Sequence, residues 1–135
     1  MLFDEFLEQQ WQAGRVRLEM RRGPARILLH GHCHQKAMGR LGPAGALLRR
    51  IPGSTVIDLD AGCCGMAGSF GYLRDHFEVS RAIGERRLLP AARELDADSV
   101  LVASGTSCRQ QVADFTGARA QHPAELIRSL VREPA

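Results

Sequence analysis

The sequence predicts an α/β fold: an open, mainly parallel sheet with helices on both faces, in a Rossmann-like three-layer arrangement. Three observations predict it. From Ala25 onward, short apolar runs alternate with helix-like stretches, and strands separated by helices pair in parallel. The 135 residues, 44% hydrophobic and 24% charged, suit one ordinary globular domain. Histidines and cysteines recur just past the ends of the apolar runs, at the sheet edge where parallel α/β folds bind ligands.

The elements follow in order. Residues 1–24 read as an N-terminal helical arm: Phe3, Phe6, Leu7 and Trp11 share one helix face, followed by an Arg-rich stretch ending at Gly23-Pro24. So aromatic a face needs a surface to pack on, either the domain itself or a neighbour. The α/β domain occupies residues 25–135. Ile27-Leu28-Leu29 is a strand leading into His30-Gly31-His32-Cys33-His34, and Pro43 to Ile51 is a helix. Thr55 to Leu59 is a strand leading into Gly62-Cys63-Cys64-Gly65. Residues 77–95 are helical, with Pro90 either kinking the helix or opening its second half. Val100 to Ala103 is a strand ending at Ser104-Gly105-Thr106-Ser107-Cys108, and a helix runs on to about Phe115. Ala118 to Gln121 is a short strand before His122, and Pro123 sits in the first turn of a last helix through Val131.

Several function classes are excluded at this level. The formal charge is only +3, its cations are interspersed with acids, and 5% aromatic residues leave little to stack on bases, so nucleic acid is not a partner. No transmembrane segment is expected, because no stretch approaches ~18 apolar residues. The acidic start, Asp4-Glu5, is unlike a secretory leader, so the expected location is cytoplasmic. Four cysteines, two of them adjacent, are too few for a disulfide scaffold and read as reduced thiols kept for metal or redox chemistry. There is no C-x2-C, no H-E-x-x-H, no G-x-G-x-x-G and no Walker A loop, so the chain carries no nucleotide site of its own.

The chemistry-bearing residues are then few. Three imidazoles and a thiol within His30 to His34 are ligand types that zinc and iron prefer. A single histidine there reads as a strand cap or core hydrogen bond, whereas the cluster reads as a site. The vicinal pair Cys63 and Cys64, flanked by glycines, can reach two irons of one cluster while backbone N–H groups approach the sulfurs. Cys108 falls in the first turn of a helix beside Arg109, and both neighbours favour its thiolate. The candidate cofactor ligands are Cys33, Cys63, Cys64 and Cys108; His32, His34 and His122 are added as candidate metal ligands.

Four segments carry a specific resemblance: His32-Cys33-His34-Gln35-Lys36, the run from Gly62-Cys63-Cys64-Gly65 to Tyr72, Gly105-Thr106-Ser107-Cys108-Arg109, and His122-Pro123-Ala124-Glu125-Leu126. Together they resemble the cysteine-rich CCG domain. That domain closes the fused FAD and iron–sulfur dehydrogenases of D-lactate, D-2-hydroxyglutarate and glycolate type. It also occurs in the heterodisulfide reductases and in the iron–sulfur subunit of anaerobic glycerol-3-phosphate dehydrogenase. The resemblance runs from about Phe3 to Leu130 and implies an iron–sulfur or redox-metal domain. Such a domain transfers electrons beside a flavin that oxidises a 2-hydroxy acid, with FAD on a partner or on a further domain. It implies Cys33, Cys63, Cys64 and Cys108 as ligands. The family's motif ends in C-x-x-C, whose first cysteine falls at Gly105 here, leaving either a cubane 4Fe-4S cluster on four cysteines or a mononuclear iron or zinc on histidine and cysteine. The chain resembles a C-terminal piece or a subunit that needs partners. Without the hydride acceptor it is not expected to catalyse alone. Two alternatives stand beside the electron-transfer reading: a mononuclear site that orients a hydroxy acid, and a metal-free thiol redox or interaction module.

Overall fold

The structure, a computed structural model, describes residues 1–133. Its centre is a four-stranded, wholly parallel sheet in the order β2-β1-β3-β4, formed by β1 (Arg26–His30), β2 (Thr55–Asp58), β3 (Ser99–Ala103) and β4 (Ala120–Gln121). The two central strands are apolar almost throughout, as strands covered on both faces must be. The edge strand β2 is largely exposed and β4 is two residues long.

Strand alternation divides the core into two layers. Ile27 and Leu29 point to one face and meet Ala44, Leu47, Leu48 and Ile51 of the segment around α3 (Leu41–Arg49), with Leu126 and Ile127 of α7 (Pro123–Leu130). Leu28 points to the other face. There it meets Leu88, Leu89 and Ala92 of α5 (Leu88–Arg93), Val112 and Cys108 of α6 (Thr106–Thr116), and Cys64. Leu47, Leu48, Leu89 and Leu101 are wholly buried, each worth about 1.5–3 kcal/mol of hydrophobic transfer.

The helical stretch at residues 77–95 is two helices, α4 (Phe77–Gly84) and α5, broken at residues 85–87. Pro90 lies in the first turn of α5, where its missing N–H leaves no intrahelical bond unmade. The arm forms α1 (Phe3–Gln12), which lies across α3 and touches α7. Leu7 and Trp11 pack on the Ile27/Leu47 layer, while Phe3 and Phe6 stay 41% and 51% exposed. The buried residues of α1 are both acidic. Glu8 receives a two-pronged ion pair from Arg50 at 2.7 and 2.9 Å, and Asp4 accepts a hydrogen bond of 2.9 Å from the Gln35 amide. The aromatic spacing identified the helix, but an ion pair and an amide contact decide which side faces in. Among the described residues, no helix is long and apolar enough to cross a membrane.

Candidate metal centre

The strand order reverses between β1 and β3, so the connections leaving these neighbours run in opposite directions and open a crevice at their C-terminal ends. His30 closes β1, Gly105 caps α6 just after β3, and the loop after β2 carries Cys63 and Cys64 to the same edge. A short helix that sequence periodicity does not reveal, α2 (Cys33–Ala37), begins immediately after His32.

Each thiol is positioned by backbone. The β2 loop is held by Arg87, which donates to the carbonyls of Leu59 and Asp60 at 3.3 Å, and by Lys36, which donates to the Gly62 carbonyl at 3.2 Å. Gly65 has φ +99°, and a Cβ there would collide with the Ser80 carbonyl of α4, so only glycine lets the loop lie against that helix. The loop then folds back so that Gly65 N–H donates to Cys63 Sγ at 3.2 Å and Met66 N–H to Cys64 Sγ at 3.4 Å. The Met66 contact favours the Cys64 thiolate.

Cys64 and Cys108 are buried and their sulfurs lie 3.3 Å apart, with Cys108 donating. That hydrogen bond lowers the Cys64 pKa to about 4 despite burial, with His30 and the Met66 N–H adding to the effect. The same bond, with burial, holds the Cys108 proton on and pushes its pKa up. The expectation that Cys108 is the thiolate is therefore corrected. The guanidinium meant to favour it is turned away: Arg109 donates to the carbonyls of Ala103 and Ser104 at 2.9 and 2.8 Å and fixes the turn instead.

His30 completes the group. Its ligand nitrogen and the two sulfurs all lie within 4.8 Å of one another, its side chain is 1% exposed, and neither ring nitrogen has a hydrogen-bond partner among the described residues. Sequence reasoning counted His30 in the cluster but did not single it out as a ligand. The missing signal was register: His30 lies two residues beyond Leu28 and so faces the layer containing Cys64 and Cys108.

Beside this trio is a cavity of about 210 Å³ walled by Cys33, Cys64, Cys108, His32, His34, Ala67, Gly68 and Ser107. It is larger than a lone ion needs. Cys33 is exposed as a residue, but partial desolvation of its sulfur, with the neighbouring Cys63 and Cys64 thiols, pushes its pKa up. Cys63 is half-buried and lines not this cavity but a separate recess, with Asp60, Arg86 and Arg87. His32 and His34 line the small cavity and also a larger one of about 460 Å³, which includes His122, Asp4 and Arg40. His122 is on that larger side, its Nδ1 accepting from Ala124 N–H at 3.1 Å to cap α7, and burial lowers its pKa. A Cβ on Gly105 would lie 2.5 Å from His32 Cδ2 and 2.9 Å from Cys108 Sγ, so the bare glycine makes room for the His32 ring. All four cysteines are free. Soft thiolates beside an unpartnered buried imidazole fit iron, zinc or an iron–sulfur cluster, and the Cys64–Cys108–His30 group could hold a metal.

The chain matches no family model, and no solved structure matches it significantly. It is 36% identical over 104 residues to a subunit of the anaerobic glycerol-3-phosphate dehydrogenase of Escherichia coli (strain K12), covering 77% of this chain and 26% of that protein. It is 31% identical over 126 residues to D-2-hydroxyglutarate dehydrogenase of Pseudomonas putida, covering 90% of this chain and 12% of that protein. The D-2-hydroxyglutarate dehydrogenase of Pantoea ananatis is 31% identical over 133 residues, 97% of this chain and 12% of that protein. The chain thus spans between 12% and 26% of the length of these relatives.

Proposed function

We propose that the chain is a CCG-type redox-metal domain that passes electrons beside a flavin-bearing dehydrogenase domain or subunit acting on a 2-hydroxy acid of D-lactate, D-2-hydroxyglutarate or glycolate type. The observation that carries the metal part is the buried Cys64–Cys108 pair with its unpartnered His30, opening onto a cavity that Cys33 also lines. The dehydrogenase part is supported by the relatives' names and by the share of their length that this chain matches. When bound, an iron–sulfur cluster or single iron would supply one-electron chemistry.

The residues have distinct tasks. Cys64, the hydrogen-bond acceptor of the pair, would be the first thiolate ligand, and Cys108 would ligate with release of the shared proton to solvent. Cys33 and Cys63 are the further sulfur donors, reached from α2 and from the β2 loop. His32 and His34 line both the small cavity and the larger pocket, which His122 and Arg40 also line. Four free thiols suit a reducing, cytoplasmic compartment.

Iron and acid-labile sulfide measured on anaerobically purified protein test this reading. It predicts coloured, iron-containing protein, with labile sulfide if the iron is in a cluster and without it if the iron is single. Protein that stays colourless and iron-free after anaerobic reconstitution would overturn it.

A further inference from the structure

We propose that His30 is a direct nitrogen ligand of this centre, so that the metal is held by mixed nitrogen and sulfur donors and not by thiolates alone. The inference rests on the reading that a metal is held here and adds a ligand outside the cysteine set.

Three observations carry it. First, His30 is 1% exposed, no described residue meets hydrogen-bond geometry with either ring nitrogen, and the polar group the imidazole faces is the Cys64 sulfur. A neutral imidazole has one donor and one acceptor, and a buried polar group left unpaired is unfavourable, so a structural histidine at this depth should have found a carbonyl or hydroxyl. Coordination uses the acceptor lone pair directly.

Second, His30 is aimed by the most rigid part of the fold. It is the last residue of the central strand β1, paired with Ala103 of β3, and alternation sends its side chain into the layer that contains both buried thiols. Sites built on strands hold their groups more tightly than sites built on loops.

Third, its nitrogen and the sulfurs of Cys64 and Cys108 already lie within 4.8 Å of one another. The two sulfurs lie 3.3 Å apart and face a common point, and the imidazole closes a third side. Cys33, on the wall of the adjoining cavity, is placed to supply a further donor.

The test uses the 135-residue chain purified anaerobically with 15N-labelled histidine, and reads metal content and nitrogen hyperfine coupling by pulsed EPR. The reduced iron centre is the probe, or cobalt(II) in its place if the metal is a single zinc. Wild type should show directly coordinated nitrogen. His30→Gln should lose that coupling and at least about tenfold in metal retention. His30→Cys should recover the metal without the nitrogen signal and with a lower reduction potential, since exchanging histidine for thiolate ligands lowers iron–sulfur potentials. Circular dichroism confirms that both variants fold. If either variant keeps both the metal and the wild-type nitrogen coupling, His30 is not a ligand and the metal reading survives. If wild type holds neither iron nor zinc, the metal reading falls and this inference with it.

Discussion

On one side of the sheet, Ile27 and Leu29 meet Leu47, Leu48, Ile51, Leu126 and Ile127, and the buried polar groups beyond them are matched. Glu8 lies against Arg50 and Asp4 against Gln35. On the other side, Leu28 is followed by His30, and the facing layer brings Cys64 and Cys108. The orphaned buried atoms here include both His30 nitrogens and the Gln111 Oε1. The two layers come from alternate residues of the same strands, so a one-residue register slip would exchange them. Polarity alone therefore does not mark a site. The α1/α3 side contains more buried charge, all of it answered; the thiol side contains buried polar atoms that no described residue answers with a hydrogen bond.

The largest test removes the ready thiolate. Cys64→Ser replaces a buried sulfur with a poorer donor for soft metals, and metal retention should fall at least ~100-fold. Leu47→Ala probes the opposite layer. It empties a fully buried site and should cost about 2–5 kcal/mol in denaturant unfolding, while folded protein keeps its metal stoichiometry. Loss of metal in folded Leu47→Ala, or full retention in Cys64→Ser, would break the division between the layers.

Gly105 gives a finer cut on the thiol side. Gly105→Ala drives a methyl against His32 and the Cys108 sulfur and should cost about 1–3 kcal/mol by overpacking. His32→Ala in the same chain should recover most of that loss, because it removes the ring that the methyl strikes. A double-mutant cycle with no coupling would show that the two residues do not share the space.

Much of this was legible in the sequence. Apolar runs with β-branched residues marked the strands, and their ends marked the edge on which the thiols gather. The five-residue α2 was not legible, because one turn and a half shows no period. Nor was the inward side of α1: Phe3 and Phe6 outweigh Asp4 and Glu8 in any hydrophobic pattern, and only Arg50 and Gln35, brought close by folding, reverse that weighting. The titration order of the thiols was misread for the same reason. Arg109 is adjacent to Cys108 in sequence but commits its guanidinium to backbone carbonyls, while Cys64, 44 residues away, settles the proton.

The smallest predicted effect tests the matched charge itself. Arg50 holds the Glu8 carboxyl below its ordinary value of 4.5, chiefly through the two-pronged hydrogen bond and against the opposing effect of burial. A carboxylate with a depressed folded-state value stabilises the protein above its unfolded-state value, and that stabilisation is lost as pH falls through the folded value. Glu8→Gln should therefore cost about 1 kcal/mol at neutral pH, modest because Arg50 remains partly solvated. In urea titrations, the gap between wild type and Glu8→Gln should stay constant from about pH 7 down to about 5. Below that it should close, because the protonated Glu8 carboxyl and the amide that replaces it are then equally neutral partners for Arg50. A gap that persists unchanged at about pH 3 would mean that the contact works by packing, and the α1 side would lose its standing as the layer whose charges are answered by charge. Metal content at neutral pH should not move in this variant, since Glu8 lies across the sheet from the thiols.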